Sequence, residues 1–323
     1  MKKFILVTGG AGYIGSIVCE ILLKDGYNVI VIDDLRDGKS SALSNEVIFF
    51  EGNYGDPLIL DNVFNTYSVD FIFHFAASAN VPDSVKNPEL YYENNFINTF
   101  KLLINMKKHE VKKIIFSSTA AVFGEPISLP IDELHPKNPI NPYGYSKLMI
   151  EQMLRDFSNA YGMQFIIFRY FCAAGATLDH GESRLHETHL IPIVLDNALK
   201  KNKFINVFGD SYQTKDGTGI RDYIHVLDIA KAHILGMKYF DQNINEDFNL
   251  GTNHGFSVLE ILNEAEILLN TKLNYTITEK REGDPAVLVA TNKKAKEKLG
   301  WIPDYTIQDI ISSSFIWRKN PKY

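Results

Sequence analysis

Apolar residues cluster into short runs along the first half of the chain: Phe4–Val7, Val29–Ile32, Val47–Phe50, Phe71–Phe75, Ile114–Phe116 and Phe165–Phe168. These runs are rich in β-branched and aromatic residues and show little polar alternation, which predicts strands covered on both faces. Between them, Ile14–Lys24, Leu58–Phe64 and Tyr91–Lys107 carry apolar residues at helical spacing. Such alternation predicts an α/β fold, a doubly wound parallel sheet with helices on both sides. From about Thr177 the pattern changes, and the helices Ile191–Lys200 and Val258–Leu269 are separated by longer polar loops. The expected organisation is a larger unit over 1–176, which also receives later segments around 221–250, and a smaller α/β lobe mainly over 177–323. Tandem repeats and low-complexity tracts are absent.

The chain has 323 residues, of which 45% are hydrophobic, a size at which one core tends to divide into two lobes. A net charge of -6 without a long Lys or Arg run argues against a surface for nucleic acid or anionic lipid, so an anionic ligand must be held by a few placed groups. The opening apolar run ends at Thr8 and the glycines beyond it, too short for a signal peptide or a membrane span. Cys19 and Cys172 make neither a disulfide framework nor a metal site, and the expected compartment is the cytoplasm. The nine histidines show no ligand spacing, so no metal is expected.

The first strand runs into Thr8-Gly9-Gly10-Ala11-Gly12-Tyr13-Ile14-Gly15, and an amphipathic helix follows at once. Glycines at 9, 12 and 15 allow a tight turn, close approach of a pyrophosphate to helix N–H groups, and contact of that helix with the sheet. The context, strand then helix, makes this a Rossmann-type dinucleotide site. Asp33 and Asp34 end the second strand, where a carboxylate accepts hydrogen bonds from an adenosine ribose and repels a 2′-phosphate; NAD is expected, with Arg36 as the counter-argument for NADP.

After the fifth strand come Ser117-Ser118-Thr119, and later Asn141-Pro142-Tyr143-Gly144-Tyr145-Ser146-Lys147. Pro142 suits the first position of a helix, which puts Tyr143 and Lys147 four apart on one face. A tyrosine is a poor base at neutral pH, and a neighbouring ammonium stabilises its phenolate, so the pair forms a credible acid/base unit.

At this point the residues resemble the extended short-chain dehydrogenase/reductase family, and within it the UDP-glucose 4-epimerases. The similarity includes Thr8–Ser16, His74–Ala77, Tyr91–Asn95, Pro142–Lys147, Arg169–Phe171, Asp216–Val226, Asn249–Gly251 and Arg281–Asp284. By that resemblance Tyr143 is the base for the sugar O4 hydroxyl while NAD accepts the hydride from C4. Lys147 lowers the tyrosine pKa and holds the nicotinamide ribose, and Thr119 hydrogen-bonds the same oxygen. The 4-keto sugar then turns about its diphosphate link and is reduced on its other face. NAD contacts carry over to Tyr13, Ile14, Asp33, Phe75, Ala76, Ala77, Asn94, Lys147 and Phe171, with Asn53, beside Tyr54, near the adenine where the family often has Asp.

On the substrate side the resemblance assigns Arg221 and Arg281 to the UDP-sugar diphosphate, Asp284 to the uridine ribose and Phe208 to the uracil pocket. Arginine forks match phosphate oxygens better than lysine does. Cys172 and His189 stand where many family members carry Asn; Cys172 is read equally as a sugar contact or a small packing residue. Leu288 aligns with a size gate, intermediate between the Tyr of strict glucose/galactose enzymes and a small residue. The aromatic-rich stretch Tyr91–Phe100, with Leu103, is read as helix packing and as a candidate pairing face; family members commonly pair through helices of this region, so the resemblance implies a homodimer.

Ala120 and Ala121 occupy the places where related dehydratases carry an Asp-Glu pair, and they cannot move protons. The expected reaction is therefore reversible epimerisation at C4 of UDP-glucose and UDP-galactose. UDP-N-acetylhexosamine or UDP-glucuronate as substrate is the open alternative, and a cofactor-binding regulator that lost catalysis is the rival from another class.

Overall fold

The apolar runs assemble into one sheet. In the computed structural model, which describes residues 2–184, 187–199, 204–242, 244–281 and 284–323, β1 (Phe4–Thr8), β2 (Asn28–Asp33), β3 (Ile48–Glu51), β4 (Val69–His74), β5 (Lys113–Thr119) and β6 (Gln164–Tyr170) are joined by a seventh strand, Glu246–Leu250. Their order is β3-β2-β1-β4-β5-β6-seventh, and every neighbouring pair is parallel. The order reverses between β1 and β4, which opens a crevice at their carboxyl ends, where open α/β sheets bind ligands.

Alternate residues of each strand serve opposite faces. Ile5, Val7, Val31, Phe73, Ile115 and Phe168 pack with Ile17, Val18 and Leu22 of helix α1 (Tyr13–Lys24), with Ile229 and Ala232 of the helix Val226–Tyr239, and with Leu299 and Trp301. Leu6, Ile30, Ile32, Ile72, Ile114 and Ile167 face the other way, onto Leu60 and Val63 of helix α2 (Pro57–Thr66), onto Leu102, Leu103 and Met106, and onto Ile150 and Leu154. Covering on both faces is why these strands read as unbroken apolar runs.

A third cluster, built from Ile191, Leu195, Val207, Ile261, Leu262, Ile307 and Ile311, lies outside the sheet. Around it are three small sheets: Cys172–Ala174 with Tyr223–His225; Ile205–Phe208 with Tyr275–Thr278; and Ile220–Arg221 between Phe256–Ser257 and Val287–Leu288. The helix expected over Val258–Leu269 has those bounds, since Ser257 and Glu260 form a reciprocal capping box. The helix expected over Ile191–Lys200 is Leu190–Ala198, and Lys200 lies outside the described residues.

The segment expected as one helix over Tyr91–Lys107 differs. It begins as Pro88–Tyr91, widens into a π turn over Tyr92–Ile97 and continues as Asn98–Lys108. Tyr91 and Leu103 are interior at 1% and 0% exposure, in keeping with helix packing; the outward apolar residues are Ile97, Phe100 and Ile104.

Candidate active site

The carboxyl ends of β1, β2, β4, β5 and β6 open on a cleft of about 970 Å³, whose far wall comes from residues beyond Phe171. It is lined by the sequence-marked Gly9, Gly12, Tyr13, Ile14, Gly15, Asp33, Tyr54, Phe75, Ala76, Ala77, Asn94, Thr119, Tyr143, Lys147 and Phe171. Cys172, His189, Phe208, Arg221, Arg281, Asp284 and Leu288 line the same space. Asn53 does not. Its Oδ1 accepts the Gly55 N–H at 2.7 Å in a local turn, and the neighbouring Tyr54 reaches the wall instead.

At the β1 end Gly9 adopts φ +74°, and a Cβ there would lie 2.6 Å from Ala76 N. A Cβ on Gly15 would lie 2.1 Å from Gly9 O, so the turn and the first helical residues tolerate no side chain. Helix α1 starts with Gly12 as N-cap and no side-chain cap. Its first N–H groups therefore lack an intrahelical partner and face the cleft, which fits the diphosphate of a dinucleotide. Asp33 closes the adjoining strand: Oδ2 accepts the Ala11 N–H and Oδ1 the Leu35 N–H, both at 2.9 Å. Burial pushes its carboxyl pKa up while those two N–H groups oppose the rise. Arg36 is paired with Asp34 at 3.0 Å, which removes much of the case for a 2′-phosphate anchor.

Asn141 caps the helix Pro142–Tyr161 by accepting the Gly144 N–H at 2.9 Å, and Pro142 fills its first position. Tyr143 and Lys147 follow on one face. Lys147, 2% exposed, donates to Ser117 O at 2.9 Å and lies 4.8 Å from the Phe116 ring centroid. Burial draws its pKa down to about 7, against the opposing pull of Glu151. Burial raises the Tyr143 phenol, and a hydrogen bond with Thr119 counters it. The expectation that Lys147 lowers Tyr143 meets a different balance in the protein alone: desolvation dominates both groups, and the ammonium is engaged by a carbonyl. Thr119 also accepts the Ala121 N–H at 3.2 Å, which orients its hydroxyl.

Behind the pair lies a buried ionic chain. Glu151 accepts from Ser118 Oγ at 2.7 Å and from Arg169 Nε and Nη2 at 2.8 and 2.7 Å. Arg169 Nη1 reaches Asp247 at 2.7 Å. The π turn contributes a second brace: Asn95 accepts the Ser78 N–H at 2.8 Å and donates to Ser146 Oγ at 3.1 Å, and Ser146 donates to Tyr143 O at 2.8 Å. Neither arrangement was legible in the sequence, because the partners are scattered and only folding brings them together.

On the far wall Arg221 forms an ion pair with Asp284, which outweighs burial and raises the guanidinium pKa. Two residues expected to bind separate parts of a substrate thus bind each other here. Arg281 lies 3.7 Å over the Phe208 ring. Leu288 pairs in register with Arg221 and packs against the cluster of Val122, Phe123 and Ile131. Burial pushes the Cys172 thiol up to about 11, so it acts as a neutral group, and both cysteines are free. His189 meets Glu182 at 2.5 Å, which raises its pKa against the effect of burial. Glu182, Glu187 and His189 hold donor atoms within 4.8 Å of one another, with Arg184 at 3.1 Å from Glu182 and Arg318 at 3.8 Å from Glu187 as counter-charges. The sequence pattern did not mark Lys39, Arg184, Tyr212 or Tyr323, all on the cleft wall; the Tyr212 hydroxyl is buried without a hydrogen-bond partner among the described residues.

A three-two-one-four-five-six sheet with an uncapped glycine turn, and a Thr/Tyr/Lys set across the cleft from two arginines, define a dinucleotide-dependent enzyme acting on an anionic substrate. Residues 5–251 match the NAD dependent epimerase/dehydratase family, and the chain belongs to it. It is 47% identical to the UDP-glucose 4-epimerase of Halalkalibacterium halodurans over 98% of this chain and 95% of that one. It superposes on the UDP-glucose 4-epimerase of Bifidobacterium longum in complex with NAD+ and UDP, with TM-score 0.95, 40% identity and 99% of each chain covered. The UDP-Glc/GlcNAc 4-epimerase of Campylobacter jejuni follows at TM-score 0.85 and 39% identity, covering 98% of this chain and 99% of that one. Among the described residues no helix is long and apolar enough to cross a membrane.

Proposed function

We propose that this chain interconverts UDP-glucose and UDP-galactose by reversible oxidation at C4, with NAD retained throughout. The observation that carries this reading is the convergence of Thr119, Tyr143 and Lys147 on one cleft with the glycine turn at one side and Arg221, Arg281 and Asp284 at the other. Gly12, Tyr13 and Ile14 would hold the NAD diphosphate, the latter two through backbone N–H groups without an intrahelical partner, Asp33 would accept from the adenosine ribose, and Lys147 would hold the nicotinamide ribose. Bound NAD supplies the hydride acceptor at C4 and, once the sugar has turned, the donor that returns it.

Tyr143 takes the proton from the sugar O4 and gives it back, with Thr119 hydrogen-bonded to the same oxygen. The charge of Lys147 favours the phenolate that this exchange requires. Arg221 and Arg281 bind the diphosphate, Arg221 sharing its fork with Asp284, which turns a free oxygen to the uridine ribose. Phe208, under Arg281, lines the uracil side; Cys172 and His189 border the sugar. Anchoring at the UDP end leaves the keto sugar free to turn over between the two reductions. A coupled assay for UDP-glucose formed from UDP-galactose, without added NADH, tests the reading. A purified chain that carries no nicotinamide and leaves UDP-galactose unchanged sinks it.

A second reading, activity on UDP-N-acetylhexosamines, is favoured by Leu288 at the cleft wall. Leu288→Tyr should depress turnover of UDP-N-acetylglucosamine more than that of UDP-glucose; equal effects on both refute the gate. UDP-glucuronate belongs in the same substrate panel. We further place NAD binding mainly in 1–176 and substrate binding mainly in 177–323, and the working form as a homodimer in the cytoplasm. Ile97, Phe100 and Ile104 present apolar side chains about two-fifths exposed, and Tyr145 and Met149 of the helix carrying Tyr143 are exposed to a similar degree. Light scattering should report a dimer that Phe100→Glu converts to a monomer.

A further inference from the structure

Three segments distant in sequence meet over the start of helix α1. Lys39, in the loop beyond β2, donates to Ser183 Oγ at 2.7 Å across the cleft mouth. Tyr323 exchanges hydrogen bonds with the backbone of Gly181: the Gly181 N–H donates to its hydroxyl, and the hydroxyl donates to Gly181 O, both at 3.3 Å. Ser183 Oγ donates to Tyr323 O at 3.5 Å. Lys39, Gly181, Ser183 and Tyr323 all line the cleft beside Gly12, Tyr13 and Asp33, the half that holds the cofactor.

The base of this arrangement is buried and its top is exposed. Trp317, 2% exposed, donates its indole N–H to Glu182 O at 3.0 Å and meets the Tyr323 ring at a tilt of 56° with ring centroids 4.8 Å apart. Gly181 presses on the same indole so closely that a Cβ would lie 2.4 Å from it. The Lys39–Ser183 bridge, by contrast, is solvent-exposed and can open at little cost.

We propose that Tyr323, seated on Trp317, and the Lys39–Ser183 bridge form a clasp over the NAD diphosphate, and that this clasp sets how fast NAD leaves. The inference rests on the reading that NAD occupies the cleft. Chemistry that restores NAD at each turnover gains from such a clasp, because the cofactor never has to be exchanged.

The test is a chase: protein loaded with radiolabelled NAD is diluted into excess unlabelled NAD, and retained label is followed by filtration. Tyr323→Ala should release label about tenfold faster, the loss of one ring contact and its hydrogen bonds. Tyr323→Phe should keep most of the retention, because the ring contact survives. Ser183→Ala, which removes only the exposed bridge, should accelerate release about twofold and keeps the test usable if Tyr323→Ala fails to fold. Release from Tyr323→Ala or Ser183→Ala at the wild-type rate overturns the clasp. Wild-type protein that takes up no label and releases no nicotinamide on denaturation overturns the cofactor reading itself, a distinguishable result.

Discussion

Glu151→Gln probes the buried chain behind the reacting pair. Glu151 is 1% exposed, and its carboxylate meets both Nε and Nη2 of Arg169, itself 0% exposed. Glutamine preserves the volume but sets an amide N–H₂ against guanidinium donors and removes one of the two carboxylates facing Arg169. Breaking a buried pair from one side costs about 3–5 kcal/mol. Asp247 remains at 2.7 Å, so the lower end applies, roughly 3 kcal/mol. At about 2 °C per kcal/mol for a chain of this size, Tm should fall by roughly 6 °C at a fixed scan rate. A second effect is electrostatic. Burial has brought Lys147 to about 7, and Glu151 is the group that holds it up. Without that charge Lys147 sheds its proton at lower pH, so the loss of kcat that follows its deprotonation should begin earlier on the alkaline side. The assay is kcat between about pH 5.5 and 9 for both proteins at saturating UDP-galactose. A Tm within about 1 °C of wild type refutes the buried pair as a stabilising element. A lowered Tm with an unmoved pH profile refutes the link to Lys147.

Tyr143→Phe and Lys147→Ala should each remove most activity while circular dichroism shows an intact fold; turnover at the wild-type level in either refutes the assigned roles. Gly15→Ala forces a methyl into Gly9 O and should abolish NAD content measured after gel filtration, whereas full occupancy would mean the turn relaxes. Asp247 supplies an acid-stability test. Burial would raise its pKa, but Arg169, Lys294 and Arg155 hold it at about 2, below the unfolded value near 4. Its contribution of about 2–3 kcal/mol is therefore complete above pH 4 and lost as pH falls toward 2. Asp222 and Asp228, raised by burial to about 6, act in the opposite sense, their contribution being present below pH 4 and lost as pH rises through 6. Urea unfolding of Asp247→Asn should show a flatter acid limb; a curve parallel to wild type contradicts the assignment.

The chain's periodicity carried the sheet. All six strands expected from apolar runs are present, because two-sided burial leaves an unbroken apolar signature that a single sequence displays. The seventh, Glu246–Leu250, opens with Glu246 and Asp247, which serve Lys294 and Arg169; its apolar half alone was too short to mark a strand. The glycine turn and Tyr143–Lys147 were readable because each is local: neighbours within one turn of helix or loop are set by spacing. Arg221 and Arg281 were reachable only through resemblance, and the structure ties Arg221 to Asp284.

What the sequence determined by itself is therefore the parallel sheet, the phosphate-binding turn and the acid/base helix, each legible from a pattern of residue types close along the chain. Tertiary structure decided the pKa shifts of Lys147 and Tyr143, the Glu151–Arg169–Asp247 chain, the π turn that seats Asn94 and Asn95, and the meeting of Lys39, Ser183 and Tyr323. Those features depend on desolvation and on pairings between distant segments. Burial and long-range contact are properties of the folded packing, and a linear pattern of residue types does not contain them.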